Sequence, residues 1–222
     1  MWTRAELKER GRKVFMGNYW TTVGCILAIL AISAGASGLV SKIAPMGSLI
    51  VSILVAYPLT VSMSKFLLDN REGKASSNDI FYGFTAGYGN VILNMFMMNL
   101  FIALWSLLLI VPGIVKAYSY RMVPFLVAER PEIDYKEALD TSRKMMDGEK
   151  MNAFVLDLSF LGWMLLTALT CGILGVFYTV PYMSQTNAEL YVTLKAKLDT
   201  PVADFQQMQH FVKQEEIYEI QN

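Results

Sequence analysis

Polar and apolar positions in this chain separate into long blocks rather than alternating. Residues 21–64 carry one charge, Lys42, residues 80–115 carry none, and residues 151–188 carry only Asp157. These blocks are 44, 36 and 38 residues long. A membrane span takes roughly 20 apolar residues, so each block has room for two spans and a tight turn. Glycine and proline mark turns near each middle: Gly35, Gly38, Lys42, Pro45 and Gly47 in the first, Pro112-Gly113 in the second, and Cys171-Gly172 with Gly175 in the third. Cutting there predicts six spans, 21–39, 46–67, 91–111, 114–128, 151–170 and 173–192, in an all-α membrane bundle of three hairpins.

The segments ahead of the hairpins share a grammar. Thr3 and Glu6, Ser76 and Asp79, and Asp134 and Glu137 each place a capping side chain three positions before a carboxylate, as a helix N-terminus requires. An amphipathic stretch follows each cap, most cleanly at Tyr135, Ala138, Leu139, Ser142, Met145 and Met146, and Gly17, Gly89 and Gly148 are placed to close them. These stretches read as helices lying in the membrane interface. Each returning span also holds one proline, Pro58, Pro124 or Pro181. A proline inside a helix frees a carbonyl four residues back, here that of Leu54, Tyr120 or Phe177. The predicted unit is an interfacial helix, a straight span, a turn and a kinked span, repeated over 1–70, 76–130 and 134–198 of a single membrane domain. A cytoplasmic tail, 199–222, follows.

Charge sets the orientation. Of 19 basic residues, 16 fall before the first span, between spans two and three, between spans four and five, or after span six. Positive loops stay cytoplasmic, so both termini are expected on that side. The Ala34-Gly35-Ala36 run resembles a signal cleavage site, but Glu6 and Glu9 favour a retained, capped leader helix. The chain is 54% hydrophobic, with 19 acidic residues balancing the basic ones. Zero net charge gives no handle for nucleic acid. Two cysteines, Cys25 and Cys171, are too few for a disulfide framework. The one histidine, His210, cannot define a zinc site alone, and no cofactor motif is present.

The run Leu104-Trp105-Ser106-Leu107-Leu108-Leu109-Ile110-Val111-Pro112-Gly113-Ile114-Val115-Lys116-Ala117-Tyr118-Ser119-Tyr120 resembles a bacterial integral-membrane family known only as domain of unknown function 975. The opening Met1-Trp2-Thr3-Arg4-Ala5-Glu6-Leu7-Lys8, the run from Glu137 to Arg143, Asp157-Leu158-Ser159-Phe160-Leu161-Gly162-Trp163 and Val180-Pro181-Tyr182 are similar to it too. The Pro-Gly-Ile turn with its Ala-Leu-x-x-Ser helix also resembles the membrane portion attached to some bacterial glycerophosphodiester phosphodiesterases. The resemblance implies a multi-pass protein of the bacterial plasma membrane and supplies no activity.

Candidate chemistry therefore rests on intramembrane polar groups, which usually face protein or water. Arg121 and Asp157 fall at matching depths on spans four and five and are expected to pair. Lys116, near the outer turn, is placed to snorkel outward. Tyr182, Gln185, Thr186 and Glu189 share one face of span six, and Asn94, Asn99, Tyr118 and Tyr120 are positioned to line the same space, a pattern that fits a solvated cleft and helix–helix packing equally. Pro112, Gly113, Gly162 and Trp163 read as structural. No Gly-x-Ser-x-Gly elbow, phosphate-binding Gly-x-x-x-x-Gly-Lys or His-Glu-x-x-His is present, so catalysis is not expected. The expected role is a non-catalytic binding or accessory component engaging a lipid, a peptide or a membrane-protein partner. The alternative is a small-solute or ion transporter using the same polar site.

Overall fold

The computed structural model describes residues 2–41 and 47–199, and no strand occurs among them. Lys42, Pro45 and the tail 200–222, with His210, lie outside the described residues. Helices α1 (Arg4–Gly17), α2 (Tyr19–Ser41) and α3 (Gly47–Arg71) lead to a short 3-10 turn, Ser77–Phe81, and to α4 (Tyr82–Thr85). Then follow α5 (Tyr88–Leu108), α6 (Ile110–Ser119), α7 (Val123–Glu129), α8 (Tyr135–Met145), α9 (Lys150–Leu158) and α10 (Leu161–Leu169). A π turn, Gly175–Thr179, opens the last helix, α11 (Val180–Asp199).

Among the described residues, three stretches are long and apolar enough to cross a membrane: Tyr19–Ala36, Tyr88–Leu108 and Lys150–Leu169. The expected fourth span is instead two short helices. Pro124 lies in the first turn of α7 rather than inside a helix, where its missing N–H costs nothing. The chain breaks at residues 120–122. The turn of the second hairpin also falls earlier than expected, at Leu109, the single residue between α5 and α6. Pro112 and Gly113 lie within α6, and Gly113 permits the close approach: a Cβ there would stand 2.6 Å from the Ser106 Cα. Cys171-Gly172 does make the third turn, with φ of 50° and 87°.

The three capped segments form helices as their sequence dictates. The Thr3 hydroxyl accepts the Glu6 N–H at 3.3 Å, Ser76 and Asp79 form a reciprocal capping box, and the Asp134 carboxylate accepts the Lys136 N–H at 2.9 Å. Gly148 closes the third in the left-handed region. Gly89 terminates nothing, since it lies inside α5; Gly87, at φ 71°, starts that helix instead.

Each capped segment seats on a returning limb. Gly83 lies against the Pro58 carbonyl, and its N–H donates to the Ser62 hydroxyl at 2.8 Å. The Leu54 carbonyl that Pro58 frees accepts the Tyr88 hydroxyl at 3.1 Å. Ser142 of α8 fills the break between α6 and α7: its fully buried hydroxyl donates to the Ser119 carbonyl at 2.8 Å and accepts the Met122 N–H at 3.2 Å. In α1, Gly11 packs on the Thr186 backbone, so the first capped helix closes on the last limb.

The buried core lies at this end of the molecule. Leu7, Phe15, Phe66, Val91, Met122, Met146, Leu156, Phe160 and Tyr191 are each 2% exposed or less. Burying an aliphatic or aromatic side chain of this size contributes about 1.5–3 kcal/mol. The far ends of the second and third hairpins are apolar and open: Leu107 is 90% exposed, Ile110 77% and Leu169 79%.

Candidate functional site

The break between α6 and α7 is what presents Arg121. Because residues 120–122 are outside both helices, the Arg121 side chain is free to turn toward α9 and α11. Its Nη1 and Nη2 each donate to one oxygen of Asp157 at 2.7 Å, a bidentate pair. The Tyr118 hydroxyl donates to Asp157 Oδ2 at 2.8 Å, and Arg121 Nη2 also donates to Asn187 Oδ1 at 2.7 Å. The arginine side chain is 17% exposed and the aspartate 31%. Charge-assisted, two-pronged geometry of this kind fixes both orientation and position. Three of the five guanidinium N–H groups are used in these bonds, and the pair is neutral as a unit.

Arg121 and Asn187 form part of the wall of a cleft of about 390 Å³ between α2, α3, α7 and α11. The rest of the wall is mainly apolar, with Ile29, Leu59, Met63, Leu67 and Phe125, and Ser33, Thr60, Ser64 and Ser184 add hydroxyls. Thr60 and Ser64 spend theirs on carbonyls of their own helix, at 2.8 and 3.0 Å. An apolar cavity with a few placed polar groups is the usual form of a small-molecule site.

Arg121 and Asp157 thus pair as their matching depths predict, and Tyr118 joins them. The other candidates lie elsewhere. Gln185 is fully buried in a separate polar cluster: its Nε2 donates to the Leu67 carbonyl at 3.2 Å, and its Oε1 accepts from Asn70, which Asn18 and Thr22 also contact. Glu189, 2% exposed, pairs with Arg71 at 3.1 Å. Tyr182 packs edge-on against Phe160, and Trp163 lies 4.7 Å from the Tyr178 ring. Asn94 donates to the Ile133 carbonyl, and Asn99 to the Met95 carbonyl of its own helix. Tyr120 faces Lys116 on the side away from the cleft. The expected polar face of span six is therefore a packing face, because α1 and α3 cover it. Gly162 is open, with nothing within 4 Å of an added Cβ. The Lys116 amino group lies over the Trp105 and Tyr120 rings at 5.1 and 5.6 Å.

Sequence reasoning missed Asn187. It lies eight residues from the nearest basic residue and carries no charge, so only the three-dimensional meeting of α11 with the break identifies it. Among the described residues no group of three histidine, cysteine or acidic side chains is arranged to hold a metal.

No curated protein and no solved structure matches this chain. The residues of the pair, Asn187 and the α8 helix that plugs the break all fall within one matched segment, which begins at residue 107. Residues 107–197 match the model of the family described as Protein of unknown function (DUF975), the family that the motifs of the chain resemble.

Proposed function

We propose that the protein is a non-catalytic component of the bacterial plasma membrane, with its charged face and both termini cytoplasmic, that binds an amphiphile in the cleft beside Arg121. The observation that carries this reading is the placement of Arg121. Asp157, Tyr118 and Asn187 hold the guanidinium at the wall of an otherwise mainly apolar cavity, with N–H donors left for an acceptor group of the ligand. A phosphate or carboxylate would meet those donors, and an acyl chain would lie along Leu59, Met63 and Phe125. Neutrality of the pair lowers the cost of keeping it at the membrane boundary.

The test is chemical analysis of purified protein. Solvent extraction and mass spectrometry should find about one amphiphile per wild-type chain and far less in Arg121→Gln/Asp157→Asn, which removes the charges and keeps polar groups in place. Equal content in both would refute the reading. A transporter built on the same residues would instead show solute flux in proteoliposomes that Asp157→Asn abolishes.

A further inference from the structure

The charged helices fix how deep the hairpins reach. In the second hairpin, Phe101 of α5 and Tyr120 share a groove with Tyr135, Lys136, Leu139, Asp140 and Arg143 of α8. Lys136 and Arg143 are exposed, and Asp140 pairs with Arg143 and Lys144, so this level of the molecule is in water or among headgroups. From Phe101 to the end of α5 at Leu108 is seven residues, about 10 Å of helix, and from Tyr120 back to Ile110 is ten, about 15 Å.

The third hairpin gives the same depth from different residues. Lys8 of α1 donates to the Ser159 carbonyl at 3.1 Å and lies 4.4 Å from the centre of the Phe160 ring. Phe15 of the same helix meets the Tyr178 ring at 5.8 Å, while its neighbours Arg12 and Lys13 are exposed. From Phe160 to Leu169 is about 14 Å, and from Tyr178 back to Cys171 about 10 Å. Tilt only shortens these lengths. The hydrocarbon core is roughly 30 Å thick. If the tips reached the opposite surface, exposed charges on α1 and α8 would lie well inside hydrocarbon, at a cost of a few kcal/mol each.

We propose that the second and third hairpins enter the bilayer from the charged face and turn back inside it, so that residues 107–112 and 171–172 contact acyl chains. The tips suit that medium. Residues 107–115 contain no polar side chain, and α5 and α6 are joined by one residue. In the other tip the Cys171, Gly172 and Ile173 N–H groups donate to the Ala168, Thr167 and Thr170 carbonyls, and the Leu174 N–H donates to the Thr170 hydroxyl. Pairing these N–H groups lowers the cost of placing the turn in hydrocarbon, where each unsatisfied backbone group costs several kcal/mol.

Cys171, exposed at the third tip, is a native probe, and Cys25 is buried. The full-length protein, with Cys25→Ser and Asp147→Cys as a control for the charged face, is treated with a membrane-impermeant maleimide in right-side-out and inside-out vesicles. The Asp147→Cys thiol should label from one face and Cys171 from neither. A nitroxide on Cys171, or on Leu109→Cys in a Cys171→Ser background, is then measured in vesicles of phosphatidylcholine and phosphatidylglycerol. It should collide with oxygen in preference to a soluble nickel chelate, with the reverse at position 147. Labelling of Cys171 from either face, or nickel contact at either tip, would overturn the proposal. If Cys25→Ser does not fold, the wild-type chain serves for the Cys171 readings. Neither result depends on whether the cleft holds a ligand.

Discussion

Replacing Asp157 by asparagine removes one half of the Arg121 pair while keeping its shape. Arg121 then loses two bonds of 2.7 Å to a carboxylate, and Tyr118 loses a charged acceptor at 2.8 Å. Breaking a fully buried pair costs about 3–5 kcal/mol because a lone charge remains behind. Here the side chains are 17% and 31% exposed, so solvent screens part of that, and we expect about 1–3 kcal/mol. Arg121→Met/Asp157→Leu removes both charges and should recover most of the loss. The assay is thermal unfolding in detergent of the two single variants and the double, as a double-mutant cycle. Costs that simply add, or a neutral Asp157→Asn, would refute the pinning of α7 to α9 by this pair.

Four further outcomes follow from the packing. Ser142→Ala leaves the Ser119 carbonyl and the Met122 N–H without their partner, so unfolding measurements should show a loss of about 1–3 kcal/mol, with Ser142→Thr recovering part of it. Gly83→Ala would place a methyl 2.2 Å from the Pro58 carbonyl oxygen, and we expect at least about 1–3 kcal/mol from the forced separation. Gly17→Ala, which meets nothing within 4 Å, should be neutral or slightly stabilising. Tyr88→Phe removes the donor to the carbonyl freed by Pro58 and should cost about 1 kcal/mol in the same assay.

Glu149 gives a prediction in pH. Burial raises its carboxyl, but the hydrogen bonds from Lys197 and Asn152 and the lysine charge outweigh burial and hold it below its ordinary value of 4.5. A group depressed in the folded state binds protons more readily when unfolded. Its stabilisation is therefore full above that ordinary value and is lost as pH falls through the lowered one. Unfolding followed from pH 7 down to pH 3 should show this loss in the wild type and a smaller one in Lys197→Met.

The elements legible in the sequence were those set by local chemistry. Thr3, Ser76 and Asp134 cap helices because a short polar side chain beside free N–H groups needs no distant partner. Cys171-Gly172 turns because glycine tolerates positive φ. Pairing of Arg121 with Asp157 was legible because charges in apolar runs need partners. Pro124 was misread because a proline in an apolar run looks the same at the start of a helix as inside one. Ser142, eighteen residues further on, fills the break that makes it a start. Gln185 and Glu189 fitted a cleft and a packing face equally, because periodicity reveals a polar face and not what covers it; Asn70 and Arg71 cover this one. Exposed charges on α1 and α8 lie beside helices that composition alone reads as spans, a juxtaposition only the contacts reveal.

The central claim is that the cleft beside Arg121 holds a ligand. Native mass spectrometry of protein extracted gently from its own membrane tests it most directly, comparing wild type with Ser184→Phe, which fills the cleft and leaves the Arg121–Asp157 pair untouched. A wild-type chain carrying one amphiphile, and a Ser184→Phe chain of unchanged melting temperature carrying none, is the expected result. A wild-type chain with no bound amphiphile, or the same adduct on both chains, would contradict it.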